Sequence, residues 1–186
     1  MALPRFLAAV AASVVLAAGP AIADEIGDIR KQLQGGDLAG ALERADRYLA
    51  AHPENAQARF LKSLILADQG KPEAAIALLD GLTDDYPELP EPYNNLAVIY
   101  AAQGRYELAL AMLEKALVAH PGYATAHENL GDIHARLAAA AYEKAQSLDG
   151  ENTTAKIKFA QMRTLLEKQA LDPAPARFIE PPPPAR

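Results

Sequence analysis

The chain has 186 residues, about half of them apolar and 23% charged, the composition of a folded globular protein. Its formal charge of −6 and pI near 5.2 argue against nucleic acid and acidic membrane surfaces, both of which select basic faces. Cysteine is absent, which excludes disulfides, thiolate metal sites, covalent haem attachment and lipidation at a leader cysteine.

The first residues read as a leader. Arg5 supplies a positive start, Phe6 to Ala18 form an uncharged apolar stretch, and Gly19-Pro20 breaks it. Ala21-Ile22-Ala23 then offers the small-x-small pattern that signal peptidase reads, so the leader is predicted as 1–23 with Asp24 as the mature start. The stretch is shorter than the ~20 residues a membrane span needs, and an uncleaved anchor is the competing reading. The Ala-rich leader resembles that of a Gram-negative secreted protein. That resemblance implies the periplasm, with no stable membrane insertion after cleavage.

A repeat follows at once. Gly36, Gly70 and Gly104 stand 34 positions apart, as do Ala41, Ala75 and Ala109, and Pro53, Pro87 and Pro121. One spacing held by three residue types is the signature of a helix-turn-helix array. The copies fall at 24–55, 56–89 and 90–123. In the first, a short opening helix carries Ile26, Ile29 and Leu33, a weakness expected of an outer copy that faces water. The second, from Phe60 to Pro87, has Arg59 and Leu66 at its aromatic places. In the third, Tyr93, Leu96, Ala97 and Tyr100 form one helical face, and Gln103-Gly104 ends that helix. A second helix is predicted from Tyr106 to Ala119, packing through Ala109, Leu113 and Ala116 until Pro121 stops it. Ala97 and Ala109 sit where the two helices cross most closely.

A degenerate fourth copy covers 124–152. His127, Leu130, Gly131 and His134 repeat the spacing of Tyr93, Leu96, Ala97 and Tyr100, so both histidines read as core-facing. Tyr142 to Ala145 and Leu148 to Asn152 resemble the second half of a copy arriving five residues early. No Gly or Pro occurs from Asp132 to Asp149, and Leu130, Ile133, Leu137, Ala141, Ala145 and Leu148 form one stripe. The prediction is a single helix from about Ala124 to Leu148, some ~37 Å long at ~1.5 Å per residue. A tight hairpin near Leu137 is the alternative.

Residues 153–170 then form a capping helix with Ile157, Ala160 and Leu165 inward and Lys156, Arg163 and Lys168 exposed. A dimer contact through this helix is the sharper reading. The segment 171–186 is Pro-rich, with Pro181 to Pro184 favouring an extended conformation, and is predicted to be a disordered tail. Pro181-x-x-Pro184-x-Arg186 matches a proline-rich ligand pattern only weakly.

The segment Tyr93-Asn-Asn-Leu-Ala-Val-Ile-Tyr100, continued by Gly104-Arg-Tyr-Glu-Leu-Ala109 to Pro121, resembles a tetratricopeptide repeat. The resemblance implies an all-α solenoid of helical hairpins, with three copies, a fourth with fused helices and a C-terminal cap. It also implies that a protein or extended peptide binds in a concave groove lined by the first helix of each copy. Carried over residue by residue, the groove comprises Phe60, Leu61, Leu64 and Asp68, then Asn94, Asn95 and Val98, then Glu128, Asn129, Asp132 and Arg136. Asn95 and Asn129, 34 apart, resemble the asparagine ladder of peptide-binding members, whose carboxamides both donate and accept. Plain solvated asparagines are the alternative. The groove is expected to be apolar near Phe60 and Leu64 and acidic near Glu128 and Asp132. That favours a segment apolar at one end and basic at the other, and does not match the Lys/Arg face that captures acidic chaperone tails.

Chemistry is not encoded in any recognised arrangement. His52 and His120 occupy equivalent turn places before prolines, no histidine has a known ligand spacing, and no metal or cofactor is expected. A nucleophile with a base, a Gly-rich phosphate loop and paired carboxylates are lacking, and Glu43, Glu107 and Glu114 fall on outward faces. The expectation is a non-catalytic interaction adaptor of the cell envelope. Alternatives are a homo-oligomer built through the long helix and cap, or an accessory subunit of an envelope enzyme.

Overall fold

The computed structural model describes residues 19–171 and contains eight helices: α1 (Gly19–Gln34), α2 (Leu38–Ala51), α3 (Ala56–Asp68), α4 (Pro72–Asp85), α5 (Pro90–Ala102), α6 (Tyr106–Ala119), α7 (Ala124–Leu148) and α8 (Thr153–Leu171). Strand is absent among the described residues. The expected leader up to residue 18 and the Pro-rich segment from 172 lie outside them. No helix of the described residues is long and apolar enough to cross a membrane.

The period of the sequence is a period of turns. Gly36, Gly70 and Gly104 have φ of 78°, 72° and 73°, the left-handed conformation in which a β-carbon is strained. Each glycine closes a Schellman motif. The next residue's N–H reaches back to the helix, Asp37 to Gln32 O at 3.0 Å and both Lys71 to Leu66 O and Arg105 to Tyr100 O at 2.9 Å. The hairpins are then joined by shorter stops: His52, Tyr86 and His120 cap α2, α4 and α6 just before the repeated prolines. Asn55 and Asn152 restart the chain by accepting from Ala58 N at 2.8 Å and Ala155 N at 2.9 Å.

Packing follows the small residues. Ala41, Ala75 and Ala109 are fully buried, where each second helix meets its first. Around them one core runs from Ile26 and Ile29 through Phe60, Ile65 and Leu79 to Leu96. A second joins Tyr93, Ala97 and Leu113 to Ala126 and Ile133. The opening helix α1 runs Gly19–Gln34, so 19–23 of the expected leader belong to it and 24–34 to the first copy, where it packs through Ile26 and Ile29.

The fourth copy is one helix, as its breaker-free sequence predicts. Two expectations about its surroundings fail. The stripe on α7 is not continuous: Ile133 is buried and Leu130 and Leu137 partly so, but Ala141 and Leu148 are exposed. The neighbour changes from α5 and α6 to α8 along its length, so the packed face changes with it. His127 and His134 are exposed rather than core-facing. In the third copy α6 returns alongside α5 over that face, whereas α7 carries straight on; His127 Nε2 instead lies 2.9 Å from Pro121 O.

On α8 Lys156, Arg163 and Lys168 are exposed as expected, but the inward face is a different one. Ile157 is 55% exposed, Leu165 43%, and Ala160 is also outward, while Ala155, Phe159, Met162 and Leu166 pack inward. Both sets fit a helical period, and the tight turn at 149–152 decides the roll. Lys158 Nζ stands 5.4 Å from the Tyr142 ring centre, one contact between the packed helices α7 and α8.

Candidate functional site: a groove along the first helices

Groove residues are those at fixed offsets in α1, α3, α5 and α7. Because the period is 34, each offset makes a column across the solenoid. Arg30, Leu64, Val98 and Asp132 form one column, and Gln34, Asp68, Ala102 and Arg136 another. The expected residues Phe60, Leu61, Leu64 and Asp68 line a cavity of about 240 Å³ with Arg30, Leu33 and Gln34 of α1. Val98, Asn129, Asp132 and Arg136 line a second of about 150 Å³, floored by Ala97, Ala101, Leu113 and Ile133. Sequence reading missed the contribution of α1. Extending the period one copy back from Leu64 and Asp68 was the signal that identifies Arg30 and Gln34.

The electrostatics run lengthwise. The first column begins in a cation at Arg30, is apolar at Leu64 and Val98, and ends in an acid at Asp132, with exposed Glu128 beside it. Burial raises the Asp68 carboxyl above its usual range. Arg136 is exposed, stands 5.9 Å from the Tyr106 ring centre and lines the same cavity as Asp132, so the second column, with Asp68 nearer α1 and Arg136 on α7, runs in the opposite charge order to the first.

The asparagine ladder is not the one expected. Asn95 is fully buried and donates to Glu91 O of its own helix at 2.8 Å, leaving its Oδ1 without a partner. Asn129 instead donates to Asn94 Oδ1 at 2.8 Å, across a separation of 35 rather than 34. Asn94 is also fully buried, and its Nδ2 is unpartnered. The rotation of α7 against α5 decides which carboxamide it meets, and spacing alone cannot supply that. Asn94 and Asn95 therefore belong to the packed wall, and Asn129 is the carboxamide on a cavity. A buried cluster adjoins them: burial and the nearby Glu91 carboxylate raise the Tyr123 phenol, and burial raises Glu91 itself. Among the described residues there is no group of His, Asp and Glu arranged to hold a metal ion.

Tetratricopeptide repeat family models match residues 29–90 and 90–123. No curated protein matches the chain. Among solved structures, MamA protein is similar at a TM-score of 0.56 and 22% identity over 83% of this chain and 88% of that one. TTC0263, a thermophilic TPR protein of Thermus thermophilus, is similar at 0.59 and 21% over 81% of this chain and 84% of that one. The first TPR of Spaghetti (RPAP3), bound to the HSP90 peptide SRMEEVD, is similar at 0.57 and 17% over 63% of this chain and 93% of that one. These likenesses concern the fold. Together with the left-handed glycines and buried alanines at one period, the two matches, which span about half of the chain, place it in the tetratricopeptide repeat family.

Proposed function

We propose that this chain is a non-catalytic adaptor that holds an extended segment of a partner protein along the groove of α1, α3, α5 and α7. One observation carries the reading: a single column, Arg30, Leu64, Val98 and Asp132, ramps from cation through apolar surface to acid. Such a ramp orients a ligand as well as binding it, since a reversed segment would set like charges together at both ends. The fitting segment is basic at the α7 end, apolar across the middle and acidic at the α1 end. The peptide on the RPAP3 repeat, SRMEEVD, is rich in acid and calls for cations. Here the α7 end is acidic, so a different charge order is favoured. The apolar leader supports placing this adaptor in the periplasm, in assembly or maintenance of the envelope.

The test uses a synthetic peptide of order basic, apolar, apolar, acidic, and its reversal, titrated against the full chain by fluorescence anisotropy. We expect the forward peptide to bind, and Asp132→Lys to weaken it at least tenfold with helicity and melting unchanged. Indifference to peptide order and to Asp132→Lys would remove the groove as the site. A second reading, self-association, is favoured by the exposed Ile157 and Leu165 on one flank of α8. Light scattering on wild type and on Ile157→Asp with Leu165→Lys separates it: identical monomers discard this reading.

A further inference from the structure

Two helices outside the groove carry opposite charge. Among the described helices α8 is the most basic, with Lys156, Lys158, Arg163 and Lys168 against Glu167 alone, a net +3 in a chain of net −6. α4 is the most acidic, with Glu73, Asp80, Asp84 and Asp85 and no cation, a net −4.

The outer face of α8 joins apolar surface to these cations. Ile157 and Leu165 are exposed, and Ile157, Ala160, Gln161 and Thr164 border an open depression of about 440 Å³. Their spacing of i, i+3, i+4 and i+7 is that of the hole into which a facing helix sets a side chain. Lys156 and Arg163 are exposed on one flank of this surface and Lys168 at its end. Lys156 and Lys168 form no ion pair among the described residues, and Arg163 bridges Glu167 at 3.2 Å with both side chains mostly exposed, a pair worth little.

α4 presents the counterpart. Ala74 and Ala77 are exposed and Gly81 partly so, beside a row of exposed Glu73, Asp80 and Asp84. The row is short of cations: burial and then Asp84 raise the Asp80 carboxyl, with Lys115 opposing, and Arg59 beside Gly81 is paired with Asp85. Lengths agree. Glu73 and Asp84 are 11 residues apart and Lys156 and Lys168 are 12, so the rows run ~17 Å and ~18 Å at ~1.5 Å per residue. Proceeding around each helix in the same sense, acids precede the small residues on α4, and Lys156 and Arg163 precede Ile157 and Leu165 on α8. An antiparallel approach therefore matches both pairs at once, acid to cation and small to large.

We infer that α8 of one copy packs antiparallel on α4 of the next, joining copies of this chain head to tail. Within a copy α8 packs on α7, and α4 on α3 and α5, so the two faces serve separate molecules. A pairing of α8 with a second α8 would set cations against cations. The contact joins different faces, so it propagates into a ring or an open chain rather than closing at two copies. This deepens the self-association reading and does not depend on the groove. Neither helix lines the groove, so the assembly presents several grooves to a multivalent partner.

The test follows the full chain by light scattering up to about 1 mM, at low and high salt. We expect assembly past the dimer at low salt, weakened by added salt. Arg163→Glu with Lys168→Glu should raise the concentration needed at least tenfold, and so should Asp80→Lys with Asp84→Lys, both with unchanged helicity. Mixing the two variants in equal amounts should restore association, because each keeps the face the other has lost. No restoration on mixing would overturn the inference. Assembly that survives Asp80→Lys with Asp84→Lys, but not Ile157→Asp with Leu165→Lys, would overturn it while keeping self-association through α8. A wild-type chain that stays monomeric throughout would overturn both and leave the groove reading intact.

Discussion

The third and fourth copies begin alike and end differently. Tyr93, Leu96 and Tyr100 have His127, Leu130 and His134 at the same offsets, but Gly104 has Ala138 as its counterpart. At Gly104 the chain enters φ 73° and turns back into α6. An alanine there would sit in a left-handed conformation costing roughly 1–2 kcal/mol, while alanine is the best helix former, so α7 continues to Leu148. One missing glycine converts a hairpin into a strut, and α8 takes over the covering role of a second helix. The lesson is that the groove needs only the first half of a copy. α7 supplies Asn129, Asp132 and Arg136 before the two copies diverge.

The largest contrast should lie in the cores. Leu113→Ala, at a fully buried position of α6, should cost about 2–5 kcal/mol in denaturant unfolding, whereas Leu148→Ala, 75% exposed on α7, should stay within about 0.5 kcal/mol. Equal costs would mean that the end of α7 is covered by something else.

Next come the turns. Gly104→Ala should cost roughly 1–2 kcal/mol through its positive φ, and Ala138→Gly about 1 kcal/mol through helix propensity. Both are read from unfolding midpoints at constant m. A stabilising Ala138→Gly would show that α7 is a strained hairpin and not a helix by preference.

The smallest effect concerns Glu91, whose counterpart in the fourth copy is the uncharged Thr125. Burial raises the Glu91 carboxyl, with its own backbone and His120 opposing in part. A raised folded value means the folded state holds the proton more tightly, so stability is present below the ordinary carboxylate range and is lost as pH rises through the raised value. Glu91→Gln should therefore raise the melting temperature at neutral pH, and the gain should vanish on acidification below that range. A gain that is constant with pH would assign the effect to packing.

Much of the fold was legible because it is written in local terms. Glycines that accept positive φ, alanines that allow close crossing and prolines that end helices each act within a turn of where they stand. The period that orders them also lays out the groove columns, including the α1 residues Arg30 and Gln34 that a copy-by-copy reading passed over. The charge ramp from Arg30 to Asp132 needs nothing beyond that period. What spacing could not supply was rotation. Whether Asn129 meets Asn94 or Asn95, whether α8 turns Phe159 or Ile157 inward, and whether His127 is covered depend on the roll of one helix against another. That roll is set by the whole packed surface and by a four-residue turn at 149–152, and near-equivalent apolar stripes leave it undetermined along the chain.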